Sequence, residues 1–256
     1  MRSDGRTLDQ LRSVTIRRNF TATPGGSVLW QQGNTIVWCT ASVTPEVPPW
    51  MKPDRPGGWV TAEYVMLPAS TPRRKEWPKI GHTDSRGTEI QRLIGRSLRA
   101  VVDLTKLGPH TIAIDCQVMQ ADGGTRTAAI CGAYVALVDA LAKLPNELPP
   151  PPGGVMTARH DPMFYRPADA LVDQLAAVSV GVIDGEVRLD LDYADDVRAE
   201  VDMNVAYTAG GKFVEIQGSA EGAKGFDRAA ADRMLDLAVV GCQRLMELQK
   251  TALAAT

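Results

Sequence analysis

The stretch Asp122-Gly123-Gly124-Thr125-Arg126-Thr127 sets two glycines before a threonine and an arginine at a predicted helix start. Glycines let a backbone approach a ligand closely, the first amides of a helix lack internal partners, and the helix dipole adds positive potential there. Such a turn suits an anion, although Gly-Gly before a helix is on its own most often just a tight turn. A second arginine, Arg86, stands at another predicted helix start. Four, seven, eleven and fifteen residues beyond it lie Ile90, Leu93, Ser97 and Val101, and the same steps from Arg126 reach Ile130, Ala133, Leu137 and Leu141. Both arginines therefore share the phase of the apolar face, where a guanidinium needs an anion to offset its lost hydration. Two solutions meet that need: a carboxylate from Asp84 or Asp122, or a phosphate whose oxygens match the guanidinium fork.

Between residues 190 and 202 lie Asp190, Asp192, Asp195, Asp196, Glu200 and Asp202. On a strand from Glu186 to Tyr193, alternation puts Arg188, Asp190 and Asp192 on the polar face. On the next strand, from Glu200 to Thr208, it puts Glu200, Asp202 and Asn204 there. If the two strands pair, Asp202 comes near the other acids, with Asp196 on the connecting turn. Two or three converging oxygens suit Mg²⁺ or Mn²⁺, and an exposed polar sheet face is the alternative. His82, His110 and His160 are scattered and suggest no zinc site, and neither a nucleophile elbow nor a Walker-type loop occurs. Arg73-Arg74-Lys75 with Trp77, and the stripe Arg92, Arg96 and Arg99, are either RNA contacts or solvated faces.

The elements that must position these groups are legible from period. Residues 13 to 43 read as strands around a Gly33-Asn34 turn, Trp59 to Met66 as a strand, Arg86 to Leu107 as a helix and Thr111 to Met119 as a strand. A helix from Thr125 to Leu144 follows, rich in small residues. Proline density from Pro145 to Pro167 predicts a linker between a module at 1–144 and one at 168–256. The second module reads as a hairpin, Ala176–Ile183 and Glu186–Tyr193, across Asp184-Gly185. Two further strands, Glu200–Thr208 and Lys212–Gly218, precede an amphipathic helix from Asp227.

At 256 residues and 44% hydrophobic content the chain can bury a sizeable core. Its 28 basic and 30 acidic residues leave a net charge of −2, so any nucleic-acid site must be a local patch. No run approaches a membrane span, no signal-peptide core follows Met1, and the four dispersed cysteines read as buried thiols in a reducing cytoplasm.

Taken together, these blocks resemble ribonuclease PH, the phosphate-dependent RNA 3′-exonuclease family related to polynucleotide phosphorylase and the exosome ring. The likeness runs through Arg2–Arg6 with Asp9–Arg12, Gly26–Leu29, Cys39–Val43, Gly58–Pro68, Arg86–Arg99, Asp122–Thr127 and Leu189–Val205. The resemblance implies an α+β fold of two ribosomal protein S5 domain 2-like modules, in a hexamer built as a trimer of dimers. It implies a phosphate site at Arg86, Gly124, Thr125 and Arg126, and metal-binding and catalytic acids at Asp196 and Asp202, with Asp190 and Asp192 as a supporting acidic layer. Phosphate would attack the last phosphodiester of an RNA such as a tRNA precursor and release a nucleoside diphosphate, with Mg²⁺ or Mn²⁺ near Asp202. Asp196 would act as general acid or as metal ligand only. After Met66-Leu67-Pro68, Ala69-Ser70-Thr71 stands where the family often has an RNA-holding arginine. A catalytically silent RNA-binding ring subunit is the rival reading, and a metal-dependent hydrolase a third that leaves the paired arginines unexplained.

Overall fold

The computed structural model describes residues 2, 4–77, 84–148, 150, 154–221 and 225–255; His82 and the prolines at 149, 151 and 152 lie outside them. The β-branched and aromatic runs form β1 (Val14–Arg18), β2 (Gly26–Gln32), β3 (Thr35–Thr44), β4 (Trp59–Met66) and β5 (Thr111–Gln120). They make one sheet in the order β1-β2-β3-β5-β4. All pairs are antiparallel except β4 with β5, which α1 (Ser85–Arg99) joins as a crossover.

Helix α1 ends at Arg99, short of the expected Leu107. Val102 leaves it to bridge Leu171, Asp103 donates its N–H to Ala170, and the Asp103 carboxylate caps a separate 3₁₀ turn over Leu104–Leu107. Val101 stays buried, so the apolar period runs on through a change of backbone.

Helix α2 (Thr125–Ala142) packs on β2, β3 and β5 and, beyond them, on β6 (Leu175–Ile183). Enclosed by elements of both sheets, it is apolar on nearly every face. It is long and apolar enough to cross a membrane by composition alone, contrary to the expectation of no such run, yet 78% of it is buried inside the protein. Its small residues allow the close approach: a Cβ on Gly132 would stand 2.8 Å from the Cys39 sulfur.

The second sheet comprises β6, β7 (Glu186–Leu189), β8 (Val201–Thr208) and β9 (Phe213–Ala220), antiparallel in the order β7-β6-β8-β9. β7 and β8 do not pair with each other but flank β6, and Asp202 faces Gly181. β7 also stops at Leu189 instead of Tyr193. Asp190 takes a left-handed φ of 54°, which ends the alternation, and Asp192 caps the single turn α3 (Tyr193–Asp196) by accepting from the Asp195 N–H. The long helix α4 (Arg228–Ala254) packs on β6, β7 and β8. One contiguous apolar core joins both sheets, and the α+β class expected from the sequence is the one the chain adopts.

Candidate active site

The glycine turn is held from behind. The Thr35 hydroxyl accepts from the Asp122 N–H at 3.0 Å and donates to the Gly123 carbonyl at 2.7 Å. The Arg12 guanidinium donates to the Asp122 carbonyl at 2.5 Å. Gly123 and Gly124 have φ of 73° and 64°, and a Cβ on Gly123 would stand 2.5 Å from the Leu191 carbonyl oxygen. The turn can therefore lie against the segment that leads into α3 only because it lacks a side chain. At the start of α2, Thr125 is buried and its hydroxyl accepts a 2.9 Å bond from Tyr64 of β4.

A cavity of about 760 Å³ opens in front of this turn. Gly124, Thr125 and Arg126 line it, Arg86 adds a second cation, and Asp196 and Asp202, from the second half of the chain, line it as well. The six residues expected to carry phosphate and metal chemistry thus share one space. Arg86 does not turn into the core as its phase implies. It lies on the first turn of α1 and is exposed to the cavity.

Neither Asp84 nor Asp122, the carboxylates offered as one solution, pairs with Arg86 or Arg126. Asp84 caps α1 by accepting from the Gly87 N–H, and Asp122 accepts from the Asn34 amide and the Tyr193 N–H. Arg126 instead donates to the Gln217 side-chain oxygen on β9, with the Glu89 carboxylate 3.8 Å away, and Gln217 in turn donates to Glu89. A neutral amide makes the close contact, and the half-exposed Glu89 carboxylate, at the outer limit of ion pairing, offsets the guanidinium charge only in part.

The acid cluster divides in two. Asp190, Asp192 and Asp195 are buried, held by arginines from the N-terminal segment and β7. Arg12 pairs with Asp190 at 2.6 Å, Arg6 stands 3.7 Å from Asp192, and Arg2 and Arg188 hold Asp195 at 2.6 and 2.7 Å. Asp196 and Asp202 face the cavity without such partners. Displaced water raises the Asp196 carboxyl above its ordinary value against the pull of Arg86 and Arg126, although its side chain is open to the cavity. Asp202 is raised by lost hydration, then by Asp196 and Glu221, with Arg126 opposing. Glu221, which follows β9, joins Asp122, Asp196 and Asp202 in the cavity lining, and sequence spacing does not single it out.

Among the described residues no three His, Cys, Asp or Glu side chains form a ready-made metal cage. Two carboxylates raised by lost hydration, Asp202 also by the charge of Asp196, fit a hard divalent cation that keeps most of its waters.

The other candidate residues spread outward. Arg73 and Lys75 line the cavity, whereas Arg74 is exposed nearby. Arg92, Arg96 and Arg99 run along α1 outside the cavity. Arg92 is exposed, Arg96 pairs with Glu215 at 3.1 Å, and Arg99 donates to the Val60 carbonyl and lies 4.6 Å over the Trp59 ring. Trp77 is exposed but not part of the cavity wall. All four cysteines are buried and unbridged.

Comparison with known proteins gives this geometry a family. Two family models match in order, the 3′ exoribonuclease family domain 1 over residues 10–143 and domain 2 over residues 173–241. Among curated relatives, a ribonuclease PH of Nocardia farcinica is 54% identical, covering 99% of this chain and 92% of its own length. One from Corynebacterium efficiens is also 54% identical, covering 98% and 96%. Among solved structures, rice Rrp46 superposes with a TM-score of 0.75 at 20% identity, covering 98% of this chain and 99% of that one. The Archaeoglobus fulgidus exosome with RNA bound to the active site gives 0.76 at 22%, covering 96% and 91%. These two likenesses carry the fold, while both halves of the sequence carry the kinship. The chain belongs to the 3′ exoribonuclease family.

Proposed function

We propose that this chain is a phosphorolytic 3′-to-5′ exoribonuclease that shortens RNA by one nucleotide at a time and releases nucleoside diphosphates. The observation that carries the reading is one cavity lined both by two arginines at helix starts, neither in a close carboxylate pair, and by two raised carboxylates. A hydrolase would use the acids alone. Arginines with no close carboxylate pair among the described residues suit an anion that must react, and inorganic phosphate is that anion.

In this mechanism the Gly124 and Thr125 end of α2, with Arg86 and Arg126, binds phosphate and aims one oxygen at the phosphorus of the terminal phosphodiester. The bond from phosphorus to the 3′ oxygen of the penultimate nucleotide breaks, and the shortened RNA keeps that oxygen. Arg126 follows the charge that gathers on the equatorial oxygens. Asp196, which lines the cavity, either hands a proton to the departing oxygen or serves as a metal ligand only. Asp196 and Asp202 would also hold Mg²⁺ or Mn²⁺, which offsets negative charge on the reacting oxygens when bound. The reverse reaction, addition of nucleotides from diphosphates, uses the same contacts.

RNA reaches the cavity past Arg73, and Arg74, Arg92 and Arg96 offer further guanidinium groups to the backbone, while Arg99 anchors the helix that carries two of them. The physiological substrate we assign is the 3′ end of tRNA precursors, acted on in the cytoplasm by a hexamer arranged as a trimer of dimers. Each chain contributes a phosphate-binding module over 1–144 and an acidic module over 168–256, joined by the 145–167 linker.

One assay separates this reading from its rivals. A short 3′-tailed RNA is incubated with protein and Mg²⁺, with and without phosphate, and the mononucleotide product is identified. Diphosphates that depend on phosphate support the reading. Monophosphates formed without phosphate mean a hydrolase, and RNA bound but never shortened means a silent ring subunit.

A further inference from the structure

Tyr193 is the one aromatic ring among the described residues that line the cavity, and nothing in the chemistry above uses it. It is 62% exposed, and among the described residues its ring stacks on no other ring or cation and its hydroxyl makes no hydrogen bond. An amphipathic ring left uncovered at the wall of a substrate cavity is a free stacking surface. Its backbone, by contrast, is fixed. The Tyr193 N–H donates to the Asp122 carboxylate at 3.3 Å, which ties the residue to the glycine turn, and Asp192 caps the helical turn that Tyr193 begins.

Position in that turn relates the ring to the reacting groups. Tyr193 and Asp196 are three residues apart on α3, so both side chains leave from one side of it. The cavity, at about 760 Å³, is far larger than a phosphate ion requires. With phosphate on the α2 side and the terminal phosphodiester at the acids, the departing nucleoside still needs a place for its flat base. Every nucleobase offers a π face, so an aromatic platform accepts all four and suits an enzyme that must remove whatever nucleotide comes next.

We propose that Tyr193 is a nucleobase platform that stacks on the base of the 3′-terminal nucleotide and so holds its phosphodiester over Asp196 and Asp202. The inference rests on the exoribonuclease reading and adds a subsite to it. Stacking needs the ring and not the hydroxyl, so Tyr193→Phe keeps the function and Tyr193→Ala loses it.

The test follows only the first nucleotide released, from two RNAs identical except that one carries an abasic 3′-terminal residue. For the unaltered protein and for Tyr193→Phe, loss of the base raises KM about tenfold or more, the ratio expected for one stacked base. Tyr193→Ala shows the raised KM on intact RNA and no further rise on the abasic RNA. An equal abasic penalty in the unaltered protein and Tyr193→Ala would overturn the platform, as would a Tyr193→Phe that behaves like Tyr193→Ala. Failure of the unaltered protein to release any diphosphate from intact RNA would instead overturn the exoribonuclease reading. Because the side chain is largely exposed, the alanine variant is expected to fold, and its melting temperature is measured alongside.

Discussion

Arg12 and Asp190, 178 residues apart in sequence, form a buried pair at 2.6 Å that ties the two halves of the cavity together. The same guanidinium reaches the Asp122 carbonyl behind the glycine turn, and Asp190 leads directly into the segment that carries Asp196. One side chain thus spans the phosphate side and the acid side.

Burial alone would raise the Asp190 carboxyl, but the charge and hydrogen bonds of Arg12 outweigh it and hold the group below the ordinary carboxylate range. Its stabilising contribution is therefore complete above the ordinary value and is lost as pH falls through the depressed one. Asp190→Ala strands a buried guanidinium and should cost about 3–5 kcal/mol. Urea unfolding at neutral and acidic pH checks this: the gap between the two proteins should narrow as the solution is acidified, and a gap independent of pH would contradict it.

Gln217 orients Arg126 without neutralising it. Gln217→Ala should raise the KM for phosphate by about tenfold, the value of one hydrogen bond to a charged group, while the Kd for RNA stays unchanged. Gln217→Glu should be worse, since a carboxylate at that place competes with phosphate for the guanidinium. Steady-state rates with phosphate varied at saturating RNA decide the matter, and equal losses in both constants would mean that Gln217 serves the fold.

Asp196 and Asp202 are raised, first by lost hydration and then, at Asp202, by neighbouring acids. A raised carboxyl binds protons more readily when folded than when unfolded. Metal-free protein should therefore lose stability as pH rises through the range just above ordinary carboxylate values. Asp202→Asn removes the Asp202 share of that loss and raises Tm by about 2–4 °C for each kcal/mol of strain relieved. The same change should lower kcat by about a hundredfold or more. Calorimetry in chelator together with phosphorolysis in Mg²⁺ tests the pairing of gain and loss.

How much of this was legible in the sequence depends on the range over which each cause acts. β4 was readable to the residue from alternation, and α2 from its period, because both signals are local. The end of α1 was not, because Val101 and Leu104 keep the helical phase while Val102 answers to Leu171. The course of residues 190–192 was hidden for a related reason: a left-handed Asp190 pays for its backbone through Arg12, and nothing near Asp190 announces that partner. Arg126 was marked by its place in α2, but Gln217, which aims it, lies on another strand with no motif around it. The acids were visible as a run, yet the division between buried struts and cavity carboxylates rests on contacts with Arg2, Arg6, Arg12 and Arg188.

The glycine turn offers the sharpest separation of strain from placement. Gly123→Ala adds a Cβ at a φ of 73°, where it would stand 2.5 Å from the Leu191 carbonyl oxygen and 2.6 Å from the Asp192 carbonyl carbon. Gly185→Ala adds one at a φ of 76°, in the β6–β7 turn, with nothing within 4 Å. Both substitutions carry the same left-handed penalty of about 1–2 kcal/mol, so backbone strain is matched between them. Only Gly123→Ala must also push the turn away from the segment leading to α3, displacing the amides at the start of α2 relative to Asp196. Gly185→Ala should therefore lower stability and keep kcat, whereas Gly123→Ala should lower kcat by about a hundredfold at temperatures where it remains folded. If the two variants lost activity equally once stability was matched, the contact between the glycine turn and Leu191–Asp192 would be packing alone. A loss confined to Gly123→Ala would mean that the distance between phosphate and acids is set where those backbones touch.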